Sequence, residues 1–131
     1  MSVLSKDFLN FATDSVQRKD EIGHRNAVAR SYYAMFHEVR DLLVALPNYS
    51  SHAHDGLIQY LKNPDKDEPY ERMALRGLAA MLQQQKGKRV VADYDLDSDV
   101  NSNDALESIR VAERLFQKCQ ELSGGRAQVL G

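Results

Sequence analysis

Cysteine is nearly missing from this chain, and so are long apolar runs and any excess of positive charge. Cys119 is the only cysteine, so no intramolecular disulfide can form, and the chain suits a reducing compartment. No apolar run approaches the length of a membrane-spanning helix. The start, Met-Ser-Val-Leu-Ser-Lys-Asp, has no apolar core of signal-peptide length, so the expected location is cytoplasmic, with no membrane partner. The formal net charge is −2, which excludes a polycation. Contact with nucleic acid would have to come from a local cluster of Arg and Lys. A glycine-rich phosphate loop, a Gly-x-Ser-x-Gly elbow and a Cys-x-x-Cys pair are all absent. Repeats, low-complexity tracts and strand-like alternation are missing too.

What is present is helical periodicity in a chain of single-domain length, 131 residues. Leu4, Phe8, Phe11, Ala12 and Val16 form a first apolar stripe. A longer second helix is predicted from about Asp20 to Leu46, through Ile22, Ala29, Tyr32, Tyr33, Phe36, Val39 and Leu43, with Pro47 ending it. A short third helix runs from about Ser51 to Leu61, followed by a turn at 63–66. Pro69 suits the first position of a fourth helix, which carries Met73, Leu75, Leu78, Ala79 and Leu82 and ends near Gly87. An acidic connector, 92–99, follows. Asp104 and Glu107 have the spacing of a capping box that opens the last helix, and Gly124 and Gly125 are expected to stop it. The fold class is therefore all-α: a single-domain bundle of about five helices over residues 1–123, with a disordered tail at 124–131.

The chemistry concentrates on the second helix. Arg30 and His37 are seven residues apart, which puts them on one helix face about 10.5 Å apart along the axis. Gly23, Ala27 and Ala34 share or flank that stripe, and Asp41 lies one turn beyond His37. Small residues interleaved with Arg and His suit close approach by another helix with the polar groups held in a cleft. Arg18 and His24 have nearly the same spacing. The run Ser31-Tyr32-Tyr33-Ala34-Met35-Phe36 between Arg30 and His37 sets the second pair apart.

That run, Arg30 through His37, resembles the second-helix signature of the HEPN family, an Arg followed after four to six residues by His. Ser51-His52-Ala53-His54-Asp55-Gly56-Leu57 resembles the family's third-helix entrance, and Arg89-Val90-Val91-Ala92-Asp93-Tyr94 its connector. Ala105, Ile109, Ala112 and Phe116 match the spacing of its final helix. The likeness covers roughly residues 5 to 122. It implies an endoribonuclease of toxin-like or defence-related kind, working as a homodimer and neutralised by a partner such as a minimal nucleotidyltransferase. The alternative it implies is a non-catalytic module that binds a nucleotide or a partner protein.

RNA cleavage through the ribose 2′-hydroxyl needs a base, an acid for the leaving 5′-oxygen, and positive charge on the phosphorane. His37 can exchange protons near neutrality, and Arg30 can grip phosphate oxygens. Neither role calls for a metal or a cofactor. Ser31, Tyr33 and Asp41 are supporting candidates. Arg25, Arg40, Lys86, Lys88 and Arg89 are candidates for steering RNA. One His does not easily act as acid and base at once, so a two-fold dimer across the Gly23–Ala27–Ala34 face is expected to supply a second. His52 and His54 point apart in a His-x-His and read as a helix entrance, not as metal ligands. The acidic connector lacks the glycine and the terminal glutamate of a calcium loop. Cys119 reads as a packed thiol.

Overall fold

Asp20 ends one helix turn and starts the helix on which the molecule is built. Its carboxylate accepts a hydrogen bond from Gly23 N at 2.9 Å, an N-cap that satisfies one of the orphan amides of a helix start. The computed structural model describes residues 3–47 and 53–130, with side chains described through Gly124. Among these residues there are five helices in the order α1 (Ser5–Val16), α2 (Glu21–Leu42), α3 (Ala53–Lys62), α4 (Arg72–Tyr94) and α5 (Ser102–Leu130), and no strand. None is long and apolar enough to cross a membrane.

The bundle is organised around α2, which lies against α1, α4 and α5, while α3 packs on α4. Burial on most sides explains the sequence of α2. Tyr32, Met35, Phe36, Val39 and Leu42 enter the main core with Leu57 and Leu61 of α3, Leu75, Leu78 and Leu82 of α4, and Leu115 and Cys119 of α5. Ala27 joins Ala12 and Ala105 in a second cluster, where small side chains let three helices converge. Gly23 is required by contact: a Cβ there would sit 2.6 Å from the Ser15 carbonyl oxygen. On α1 the apolar stripe is shifted from the expected one. Ala12 and Ser15 are buried, whereas Leu4 and Phe11 face solvent.

Five helix ends differ from the sequence expectation, and tertiary side chains account for the first of them. The second helix stops at Leu42 instead of running to Leu46. The Tyr70 hydroxyl donates to Leu42 O at 2.9 Å, and the buried Glu68 carboxylate accepts from Val44 N and Ala45 N. Helix α4 starts after Glu71, not at Pro69, and it continues through Gly87 to Tyr94. It therefore absorbs Ala92, Asp93 and Tyr94 of the expected connector. The cap of α5 lies one frame earlier than Asp104–Glu107. Asn101 and Asp104 exchange reciprocal side-chain to backbone bonds at 3.0 Å, so Asp104 closes the box and Asn101 is the cap. Helix α5 then continues through Gly124 and Gly125; interior glycine costs a helix about 1 kcal/mol but does not forbid it. Of the expected third-helix start, Ser51 and His52 lie outside the described residues.

Candidate functional site

The helical period of α2 places Arg30, Tyr33 and His37 along one edge. α4 and α3 bring their own polar groups to that edge. Tyr33 is the hub. The Arg30 and Arg89 guanidinium carbons lie 5.5 and 5.2 Å from its ring centroid, close enough for cation–π attraction. Its hydroxyl accepts from Arg89 Nη2 at 2.7 Å. Arg89 is further fixed by Asp93, one helical turn on, with Nε to Oδ2 at 2.9 Å, and it lies 5.6 Å from the Tyr94 ring. Arg30, by contrast, has no carboxylate within ion-pair range among the described residues, and it is half-buried.

Two imidazoles stand beside these cations. His37 stacks on Phe8 of α1, with centroids 5.2 Å apart and planes 13° from parallel, and meets the edge of Phe36 at 5.2 Å. His54, at the start of α3, lies 4.2 Å from the same Phe36 ring. Its Nδ1 is 3.0 Å from the Tyr32 hydroxyl. Both histidines are half-buried. Burial lowers the pKa of His37, helped by the charge of Arg40 and opposed by Asp41. Burial also lowers that of His54, helped by Arg89, Lys86 and His37 and opposed by Asp55. Neutral imidazole is thus the resting state of both near neutral pH. Burial raises the pKa of Tyr32, so its hydroxyl keeps its proton and can donate to His54 or accept from it.

The lowered values carry a stability prediction. In the unfolded chain these histidines take up protons as pH falls through about 6.5, while the folded chain resists. Stability is therefore undiminished above that pH and declines below it, levelling off under the folded-state values. Urea unfolding at pH 7.5 and pH 5.5 should show the loss, and replacing both residues by Gln should flatten it. An equal loss in the double variant would assign the pH dependence elsewhere.

The other sequence candidates separate cleanly. Tyr33 sits within the cluster. Asp41 acts on His37 through its charge. Ser31 is fully buried, so a dissolved ligand cannot reach it directly. Arg25 is also buried. Its guanidinium donates to the carbonyls of Val91, Ala92 and Asp95 at 3.0–3.2 Å and to that of Ser98, which removes it from any steering role. Arg40 lies over Phe36 at 5.6 Å, beside the site. Lys86 pairs with Asp55. Lys88 pairs with Glu107 of α5 at 3.7 Å and borders a different groove, with Val28, Gln84 and Asp99. Arg18 pairs with Asp20, and His24 Nδ1 lies 3.3 Å from Val100 O, so both members of the Arg18–His24 pair already have partners.

The small-residue face is inside the protomer. Ala27 and Ala34 are 0% exposed and Gly23 is buried against α1, so this stripe is not available to a second copy. The residues that sequence reasoning missed are His54, Phe8 and Tyr94. A groove of about 630 Å³ lined by Phe11, Asp14, Arg18, Ile22, Asn26 and Leu96 shares only Asp93 with the cluster and holds no imidazole. No family model, curated protein or solved structure matches the chain.

Proposed function

We propose that this chain is a metal-independent endoribonuclease of HEPN type, toxin-like or defence-related, that cleaves RNA by attack of the ribose 2′-hydroxyl. One observation carries the reading: a half-buried His37, its pKa lowered chiefly by burial, shares an edge of α2 with Arg30, which has no carboxylate partner among the described residues, and Arg89 packs on the same Tyr33 ring as Arg30. The imidazole supplies proton transfer. Arg30 supplies a planar fork for phosphate oxygens and for the charge that grows on them. The exposed Tyr94 ring offers a surface on which an unpaired base can stack. The homodimer and the nucleotidyltransferase-type partner belong to the same proposal. A dimer would use a face other than the Gly23–Ala27–Ala34 stripe.

Purified protein incubated with total RNA tests this. Cleavage should persist in excess EDTA and leave 2′,3′-cyclic phosphate ends. A substrate with deoxyribose at the cut position should resist. Activity should drop roughly a hundred- to ten-thousand-fold in His37→Ala, the usual range for removing a general acid–base group. Activity lost in EDTA and restored by a divalent ion would overturn the mechanism. RNA bound but never cut would favour the non-catalytic nucleotide-binding module, a reading to which the stacked Arg30–Tyr33–Arg89 arrangement also lends itself.

A further inference from the structure

We infer that His54 is the second proton-transfer residue of this site, so that one chain holds both the acid and the base. The inference rests on the ribonuclease reading, and it replaces the second copy of His37 that the sequence calls for.

Transesterification moves two protons, one off the 2′-hydroxyl and one onto the 5′-oxygen. A single imidazole serves both only by reorienting between them. The structure provides two. His37 and His54 both pack on the Phe36 ring, with centroids 5.2 and 4.2 Å from it, one at its edge and one across a tilted face, and the charge of His37 is felt at His54. They come from different helices, α2 and α3, and so can approach one phosphodiester from two directions. His54 is also held as a reacting group needs to be. Tyr32, almost fully buried, holds Nδ1 at 3.0 Å from its hydroxyl; in the tautomer where Nδ1–H donates to the Tyr32 oxygen, Nε2 is the unprotonated nitrogen that can take a proton from substrate. Fixing one ring nitrogen so that the other can work is how an imidazole is oriented for proton transfer. The other source of a second imidazole, a two-fold axis through the small-residue stripe, is closed because that stripe is internal.

Surrounding charge divides the roles. His54 feels Arg89, Lys86 and His37 against a single carboxylate, Asp55. His37 feels Arg40 against Asp41. The more cationic setting keeps His54 neutral, and His54 is the base. As its Nε2 takes the proton of the 2′-hydroxyl, the O2′–P bond forms. The P–O5′ bond then breaks, and the departing oxygen takes a proton from the His37 imidazolium. The products are a 2′,3′-cyclic phosphate and a 5′-hydroxyl, and the two histidines have exchanged protonation states. Arg30 faces the phosphate oxygens throughout. One neutral and one charged imidazole are needed, and both titrate below the usual 6.5. The profile of kcat/KM against pH should therefore be bell-shaped, with its optimum on the acid side of 6.5.

The test uses the full chain and a short RNA oligonucleotide, with His54→Ala, His54→Asn and His37→Ala. Asn keeps a hydrogen-bonding atom where Nδ1 meets Tyr32, so it preserves the fold if Ala does not; circular dichroism checks both. Both His54 variants should lose roughly a hundred- to ten-thousand-fold in cleavage, and the acid limb of the pH profile should vanish in any residual activity. An equimolar mixture of His37→Ala and His54→Ala should stay inactive, because every site lacks one group. Full activity in folded His54→Asn, with His37→Ala inactive, overturns this inference and leaves the ribonuclease reading standing. Activity regained on mixing overturns the single-chain pair and shows a site shared between copies. No cleavage by the unchanged chain overturns both.

Discussion

Arg25→Ala should lower the stability of the protein by about 3–5 kcal/mol, because several carbonyls lose a charged donor at about 1–3 kcal/mol each. The side chain is only 7% exposed, yet it reaches four carbonyls: Val91 and Ala92 in the last turn of α4, then Asp95 and Ser98 beyond it. A helix end leaves such carbonyls without partners, and a cation there also answers the negative end of the helix dipole. Truncation strands these acceptors in a largely closed space, at about 1–3 kcal/mol for each that water fails to reach. Arg25→Lys should fall between, since an ammonium keeps the charge and loses the fork. Urea unfolding measures all three chains. A loss under about 1 kcal/mol would mean that water takes over the carbonyls. The consequence reaches the site. Arg89, Asp93 and Tyr94 occupy the last turns of α4, so a frayed end should loosen Arg89 from Tyr33 and weaken RNA cleavage without touching an imidazole.

The same residue shows where sequence reading stops. The five helices were legible because each carries an apolar helical period, and Asp104 marked the opening of α5 although the cap itself is Asn101. Their ends were not, because partners distant in sequence decide them. Leu42 ends α2 through Glu68 and Tyr70, some 25 residues downstream. Gly87 reads as a stop, but nothing lies within 4 Å of where its Cβ would be, and the helix passes through. Arg30 and His37 were readable from a seven-residue spacing on one helix. His54 was not, because what joins it to His37 is the packing of α3 against the α2–α4 pair. Its only sequence signal was its place in the segment that resembles a third-helix entrance. The period of α2 alone could not tell a face open to a second copy from one covered by α1.

That ambiguity gives the other large effect. Ala34→Glu should abolish the cooperative fold instead of merely splitting a dimer. Ala34 is 0% exposed within a single chain, and a carboxylate placed there has neither water nor a partner. The penalty for such an ion is several kcal/mol even after relaxation, a large share of the 5–15 kcal/mol that holds a typical domain together (roughly, by survey). Gly23→Ala probes the same packing more gently. Its methyl would meet the Ser15 carbonyl oxygen at 2.6 Å, a backbone atom that cannot swing away, so α1 must shift, at about 1–3 kcal/mol. Gly77→Ala is the control: its Cβ meets nothing within 4 Å, and mid-helix alanine should add about 0.5–1 kcal/mol. Circular dichroism with urea unfolding ranks the three. Light scattering on the same samples separates unfolding from dissociation. A folded, monomeric Ala34→Glu chain beside a dimeric unchanged chain would place this stripe at an interface between copies and show that the bundle does not cover it.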